Sequence, residues 1–225
     1  MRRLLVVAAL LLTGACGAPA PEPEPPPSTP VVTSTPPPRI VGTPMPVELT
    51  GPQPDILDYD EIEAAEPGAP EGAPLRERII KKIRQETLSM ASVAGTITAS
   101  CRGGSVPSDC TTTYNGVAVH WSVVESLLST SLATEYELWP DKELLTSKII
   151  YHNVYVYLHQ TPDDAVRCQE VPDVVLVEKP REYSTESIDT GIRCQFLGVA
   201  RDGQRIWTEM RLFMDNSGMT WARAG

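Results

Sequence analysis

Apolar residues recur with two different periods from residue 75 onward. Over 75–94, Leu75, Ile79, Ile80, Ile83, Thr87, Met90, Ala91 and Ala94 fall at helical spacing, which predicts an amphipathic helix stopped by Gly95. Its outer face carries Arg76, Arg78, Lys81, Lys82 and Arg84, a surface suited to solvent, anionic headgroups or an acidic segment. A short strand at 96–100 leads into Cys101. Within 111–123, Asn115-Gly116 lies between two β-prone runs, the signature of a type I′ hairpin. A two-residue loop pairs Tyr114 with Val117, Thr112 with Val119 and Cys110 with Trp121, and this set is expected to face inward. Residues 124–138 return to helical spacing through Val124, Leu127, Leu128, Leu132 and Tyr136, and Pro140-Asp141 breaks the run. Residues 148–160 read as a long strand, with Ile150, Val154, Val156 and Leu158 alternating with Tyr151, Asn153, Tyr155, Tyr157 and His159. A poorly patterned stretch contains one apolar run at 174–177. The chain then ends in a meander of 188–200, 205–214 and 219–223.

Helix, short strands, helix and long antiparallel strands predict an α+β fold, a bent antiparallel sheet with helices on one face. The order of elements is similar to that of cystatin-like and NTF2-like folds. An internal echo runs alongside it: Cys110, Asn115-Gly116 and Trp121 are matched by Cys194, Asp202-Gly203 and Trp207, which suggests two small α+β halves.

Before residue 75 composition replaces pattern. Seventeen of the 22 prolines lie between Pro19 and Pro74, with ten acidic residues and one basic residue, Arg39. Such a stretch has little apolar surface to offset its ordering entropy, so 16–74 is expected to be a disordered acidic tether to a globular domain at 75–225. Removing 17–74 should then leave the domain's melting temperature unchanged. Within the tether, 55–66 alternates acids with Ile56, Leu57, Tyr59 and Ile62 and could fold onto a basic surface. The net charge of −10 thus belongs almost wholly to the tether, and nucleic acid is not an expected partner.

At the start, Met1-Arg2-Arg3 is a positive head and 4–12 an unbroken apolar run, too short to span a bilayer and followed by small residues. Leu12-Thr13-Gly14-Ala15-Cys16 resembles the lipobox of bacterial lipoproteins, with the leucine one place earlier than usual in that family. The resemblance implies a signal peptide at 1–15 and acylation of Cys16 by a diacylglycerol thioether, often with an amide-linked third chain. Two or more acyl chains give stable membrane anchoring. The expected location is therefore the outer surface of the cell membrane, or the outer membrane of a two-membraned cell. Lipidation of Cys16 leaves Cys101, Cys110, Cys168 and Cys194, an even number in an oxidising compartment. Four cysteines allow three pairings, and the sequential one, Cys101–Cys110 and Cys168–Cys194, closes the two shortest loops. A zinc site is disfavoured because the spacings lack the paired C-x₂₋₄-C form.

Catalytic signatures are missing. The chain has no G-x-S-x-G, S-x-x-K, H-E-x-x-H, G-x-G-x-x-G or P-loop. No cofactor or metal is expected, and His120, His152 and His159 read as strand residues. These features favour a non-catalytic binding domain. Its expected contact face is the tyrosine side of 148–160: Tyr151, Asn153, Tyr155, Tyr157 and His159. The expected partner is another envelope protein. Cell-wall glycan, or a small apolar ligand in a concavity lined by Trp121, Val154 and Val156, is the second reading. A hydrolase using an unrecognised carboxylate pair is the third.

Overall fold

A computed structural model describes residues 39–40, 44–126, 135–158, 165–180 and 184–224. Strands β1 (Arg39–Ile40) and β2 (Val47–Leu49) precede helices α1 (Tyr59–Ala65) and α2 (Leu75–Ala91). Four strands follow: β3 (Ile97–Gly103), β4 (Pro107–Tyr114), β5 (Val117–Glu125) and β6 (Tyr136–Pro140). The chain continues through β7 (Lys142–Thr146), α3 (Ser147–Leu158), β8 (Val166–Cys168) and β9 (Val174–Glu178). It ends in β10 (Ile188–Val199), β11 (Arg205–Asp215) and β12 (Gly218–Arg223). The fold is mixed α+β with mostly antiparallel strands and two disulfides, Cys101–Cys110 and Cys168–Cys194.

The strands divide among three sheets. The meander β3-β4-β5-β6 forms one, and β7-β9 forms a two-stranded ribbon. The third runs β1-β11-β10-β8-β2, with β12 also paired to β11; among the described residues only the β1–β11 pairing is parallel. Asn115 and Gly116 both take positive φ, as a type I′ turn requires, and the β4–β5 register is the one predicted. Tyr114, Thr112, Cys110, Val119 and Trp121 are all buried beneath α2.

Each large sheet has its own helix and its own core. Ile79, Ile83 and Leu88 of α2 pack with Tyr114, Val119 and Trp121. Ile150 and Val154 of α3 pack with residues of the six-stranded sheet, among them Leu212, Cys168 and Cys194. The ribbon lies between these cores. Adjacent strand residues point to opposite faces, so Leu144 enters the first core and Leu145 the second. Likewise Val174 and Leu176 pack against one core, while Val175 and Val177 join the other. This explains the continuous apolar run at 174–177: a strand buried on both faces has no polar side to alternate with.

Three expectations are overturned. Residues 148–160 are not a strand, because 147–158 is helix α3. Ile150, Val154 and Leu158 are four apart, and that spacing fits period 2 and period 3.6 equally well. Residues 124–138 are not one helix either. Val124 and Glu125 extend β5, Tyr136 begins β6, and Glu125 pairs with Tyr136, with 127–134 outside the described residues. Finally, residues 44–74 do not belong to a disordered tether. β2 pairs with β8, and α1 opens with a capping box between Asp58 and Glu61. Ile62 is buried and Leu57 packs against the first core. A few well-placed apolar residues and a cap anchor this segment, although its average composition is that of a linker.

Candidate functional site

The five residues expected to form one binding face are dispersed by α3. Tyr151 and Tyr155 turn toward the body, where the Tyr155 hydroxyl donates to the Gly51 carbonyl at 2.5 Å. Burial raises the pKa of both phenols. Asn153 accepts from Trp221 Nε1 at 2.8 Å and so ties α3 to β12. Tyr157 remains about half exposed, and His159 lies outside the described residues. His152 bonds to the Pro54 carbonyl at 2.8 Å and holds the chain before α1 against α3. The proposed apolar concavity is also absent among the described residues: Trp121 and Val154 serve different cores, and Val156 is exposed.

A groove forms elsewhere, between α2 and the edge of β6 that is unpaired among the described residues. Two adjoining hollows of about 470 Å³ each share Lys82, Tyr136 and Leu138. One is lined in addition by Leu75, Arg78, Ile79, Gln85 and Glu135, the other by Met90, Trp121, Pro140, Glu143 and Lys179. The sequence positions these walls through the helical stripe of α2, which buries Ile79 and Ile83 and leaves Arg78, Lys82 and Gln85 at the rim.

The β6 edge has a defined phase. Ser126 N donates to Glu135 O at 2.8 Å, and Asp141 N donates to His120 O at 2.8 Å. In an antiparallel ladder hydrogen-bonded pairs alternate, so residues 135, 137, 139 and 141 direct their backbone groups to β5. Tyr136 and Leu138 therefore direct their N–H and C=O groups away from β5, along the sheet edge that borders the groove. Strand β6 ends its sheet, and no pairing closes this edge among the described residues.

Charges on the rim are unevenly matched. Lys82 pairs with Glu86 at 2.6 Å and Lys179 with Glu143 at 3.2 Å. Arg78, at the opposite end from Lys179, has no ion-pair partner among the described residues. Two other predicted basic residues of α2, Arg76 and Arg84, hold parts of the fold together. Arg76 donates to the carbonyls of Gly103 and Cys101. Arg84 makes a two-point pair with Glu66, at 2.8 and 2.6 Å, that docks the acidic segment onto α2. That contact raises the Arg84 pKa, chiefly through the Glu66 hydrogen bond.

A second polar cluster occupies the outer face of the four-stranded sheet. Ser100, Arg102, Asp109, Thr111 and His120 surround a hollow of about 280 Å³. Thr111 Oγ1 lies 3.2 Å from His120 Nδ1. Asp141 accepts the backbone N–H of His120 and does not orient its ring. Among the described residues, no group of three or more His, Cys, Asp or Glu side chains could hold a metal ion.

No family model, curated protein or solved structure matches this chain. The groove therefore has to be read from its own chemistry. Arg78 and Lys82 were legible in the sequence as part of a basic helix face. Tyr136 and Leu138 were not, because the apolar spacing over 124–138 predicts a helix there. The one early sign was Pro140, a residue that suits strand edges.

Proposed function

We propose that this protein is a lipid-anchored envelope lipoprotein whose folded body binds another envelope protein in the α2–β6 groove. The observation that carries the reading is the open strand edge at Tyr136 and Leu138, facing a helix across two adjoining hollows. Two disulfides suit an oxidising, extracytoplasmic compartment. No helix among the described residues is long and apolar enough to cross a membrane. On this reading the membrane link is the acylated Cys16 at the end of the signal segment. Replacing Cys16 with Ser is expected to move the protein from the membrane to the soluble fraction in detergent-free fractionation. Unchanged membrane retention would contradict the anchor.

A photo-cross-linking residue in place of Gln85, on the groove wall, is expected to trap one envelope protein in intact cells. The same probe at Val199, an exposed residue outside the groove lining, should not. Equal cross-linking from both positions would remove the groove as the docking site. Each half, a helix laid on a mostly antiparallel sheet, supports the cystatin-like or NTF2-like analogy, whereas the division into three sheets speaks against either as a description of the whole. Cell-wall glycan is a second reading, favoured by the donors and acceptors of the Arg102, Asp109 and His120 cluster.

A further inference from the structure

We infer that the groove takes its partner as an added β-strand: an extended segment pairs with β6, placing an apolar and an acidic side chain two residues apart. This inference rests on the docking reading above and specifies its mode.

The backbone argument comes first. Tyr136 and Leu138 each offer one N–H and one C=O along the edge that borders the groove, and Pro140 offers a carbonyl without an N–H. An extended peptide satisfies such groups in alternate order, the mode in which main-chain bonds give affinity and alternate side chains give specificity. Pro140 also ends the pairing after a few residues. That limits unregulated edge-to-edge association, the usual hazard of an open strand.

Side chains set the preference. Residues two apart on a strand are about 6.8 Å apart and share a face. Tyr136 and Leu138 are themselves two apart and line both hollows. A paired segment would therefore lower one side chain into each hollow. At the Met90 and Trp121 end the cations are already neutralised, Lys82 by Glu86 and Lys179 by Glu143, so the occupant is apolar. The other hollow is lined by Leu75, Ile79, Glu135 and Arg78 together with the paired Lys82. With Arg78 unpaired among the described residues, that hollow complements a carboxylate carried on a short stem.

The test uses the full chain carrying Cys16→Ser and a displayed library of random nine-residue peptides. Peptides are selected for binding and then synthesised with single backbone N-methyl groups at each position. Strand addition predicts selected sequences with an apolar and an acidic residue two apart. Methylation at alternate positions should weaken binding about tenfold or more for each lost hydrogen bond, while the intervening positions change little. Leu138→Pro removes an N–H that the β5 ladder does not use, together with a side chain that lines both hollows. Leu138→Ala, which keeps the N–H, is its reference: the Pro variant should bind about tenfold more weakly than the Ala variant. Arg78→Glu should reverse the preference for the acidic residue. Binding insensitive to methylation register, equal affinity for Leu138→Pro and Leu138→Ala, or a library with no enriched peptide would overturn strand addition. The Gln85 cross-link separates the two levels. A partner still trapped in the Leu138→Pro chain leaves docking intact and removes the strand; a wild-type groove that traps nothing removes both.

Discussion

Thr87 and Thr112 lie fully buried, and their hydroxyls join α2 to the β4–β5 hairpin. Trp121 Nε1 donates to Thr112 Oγ1 at 2.9 Å, and Thr112 Oγ1 lies 2.8 Å from Thr87 Oγ1, which donates to Ile83 O at 2.6 Å. Each hydroxyl has one proton, so the chain has one direction, from indole to helix carbonyl. Thr112→Val leaves the indole N–H without its acceptor, and is expected to cost about 1–3 kcal/mol. Urea unfolding with an unchanged slope would measure it. At the surface, Arg193 holds Asp189 in a two-point pair at 2.7 and 2.8 Å, and Gly191 N adds a third bond. The Asp189 pKa is lowered, mainly by the Arg193 hydrogen bond. A lowered folded pKa supplies stability above the unfolded value and loses it as pH falls through the folded one. Asp189→Asn should accordingly flatten the acid limb of stability below the ordinary aspartate pKa, as followed by denaturant midpoints against pH. Gly95 has a different role from the one its sequence position suggests. Ser92, at positive φ, caps α2, while a Cβ on Gly95 would sit 2.5 Å from the Tyr114 ring.

Among the elements, α1 and the strand before it show how composition misleads. The proline-rich, acidic average of 44–74 hides β2, Leu57, Ile62 and the Glu66–Arg84 pair, which fasten it to both halves of the protein. Deleting 44–74 is therefore expected to lower the melting temperature markedly, the reverse of what a tether would do. A finer test is Ile62→Ala, which removes one buried side chain. A loss of about 2 kcal/mol, and so roughly 4–8 °C, should appear in a thermal melt. Helix α3 presents the opposite problem, since its β-branched and aromatic residues favour a strand by propensity. The local signal against that reading was Thr146, whose hydroxyl accepts from Ile149 N at 3.2 Å as an N-cap while donating to Ala91 O. The hairpin was legible because Asn115-Gly116 fixes both turn and register locally. β6 was not, because an edge strand is defined by the neighbour it has on one side only.

At the scale of the molecule, two helix-and-sheet halves share the β7–β9 ribbon, and each contains one disulfide. The echo between the halves does not extend to register, because Cys110 faces Trp121 whereas Cys194 faces Met210. The disulfides close loops with separations of 9 and 26 residues. Restricting the unfolded chain in this way stabilises by about 2.5 to 3.5 kcal/mol per bond, slightly more for the longer loop. Replacing Cys168 and Cys194 together by Ala should thus lower the urea midpoint more than replacing Cys101 and Cys110. An equal or reversed order would mean that native packing, not loop length, sets their contributions.

Features encoded over a few neighbouring residues were readable without the fold: the α2 stripe, the Asn-Gly turn, the C-terminal meander and the sequential cysteine pairing. Each depends on spacing along the chain, which folding does not alter. Tertiary structure decided the rest. It chose helix over strand for α3, where Ile150 and Val154 satisfy both periods and packing on the six-stranded sheet breaks the tie. It recruited 44–74 into the body through contacts with residues far along the chain. It also made the groove, because an open edge exists only once β6 has paired with β5 and α2 has settled beside it.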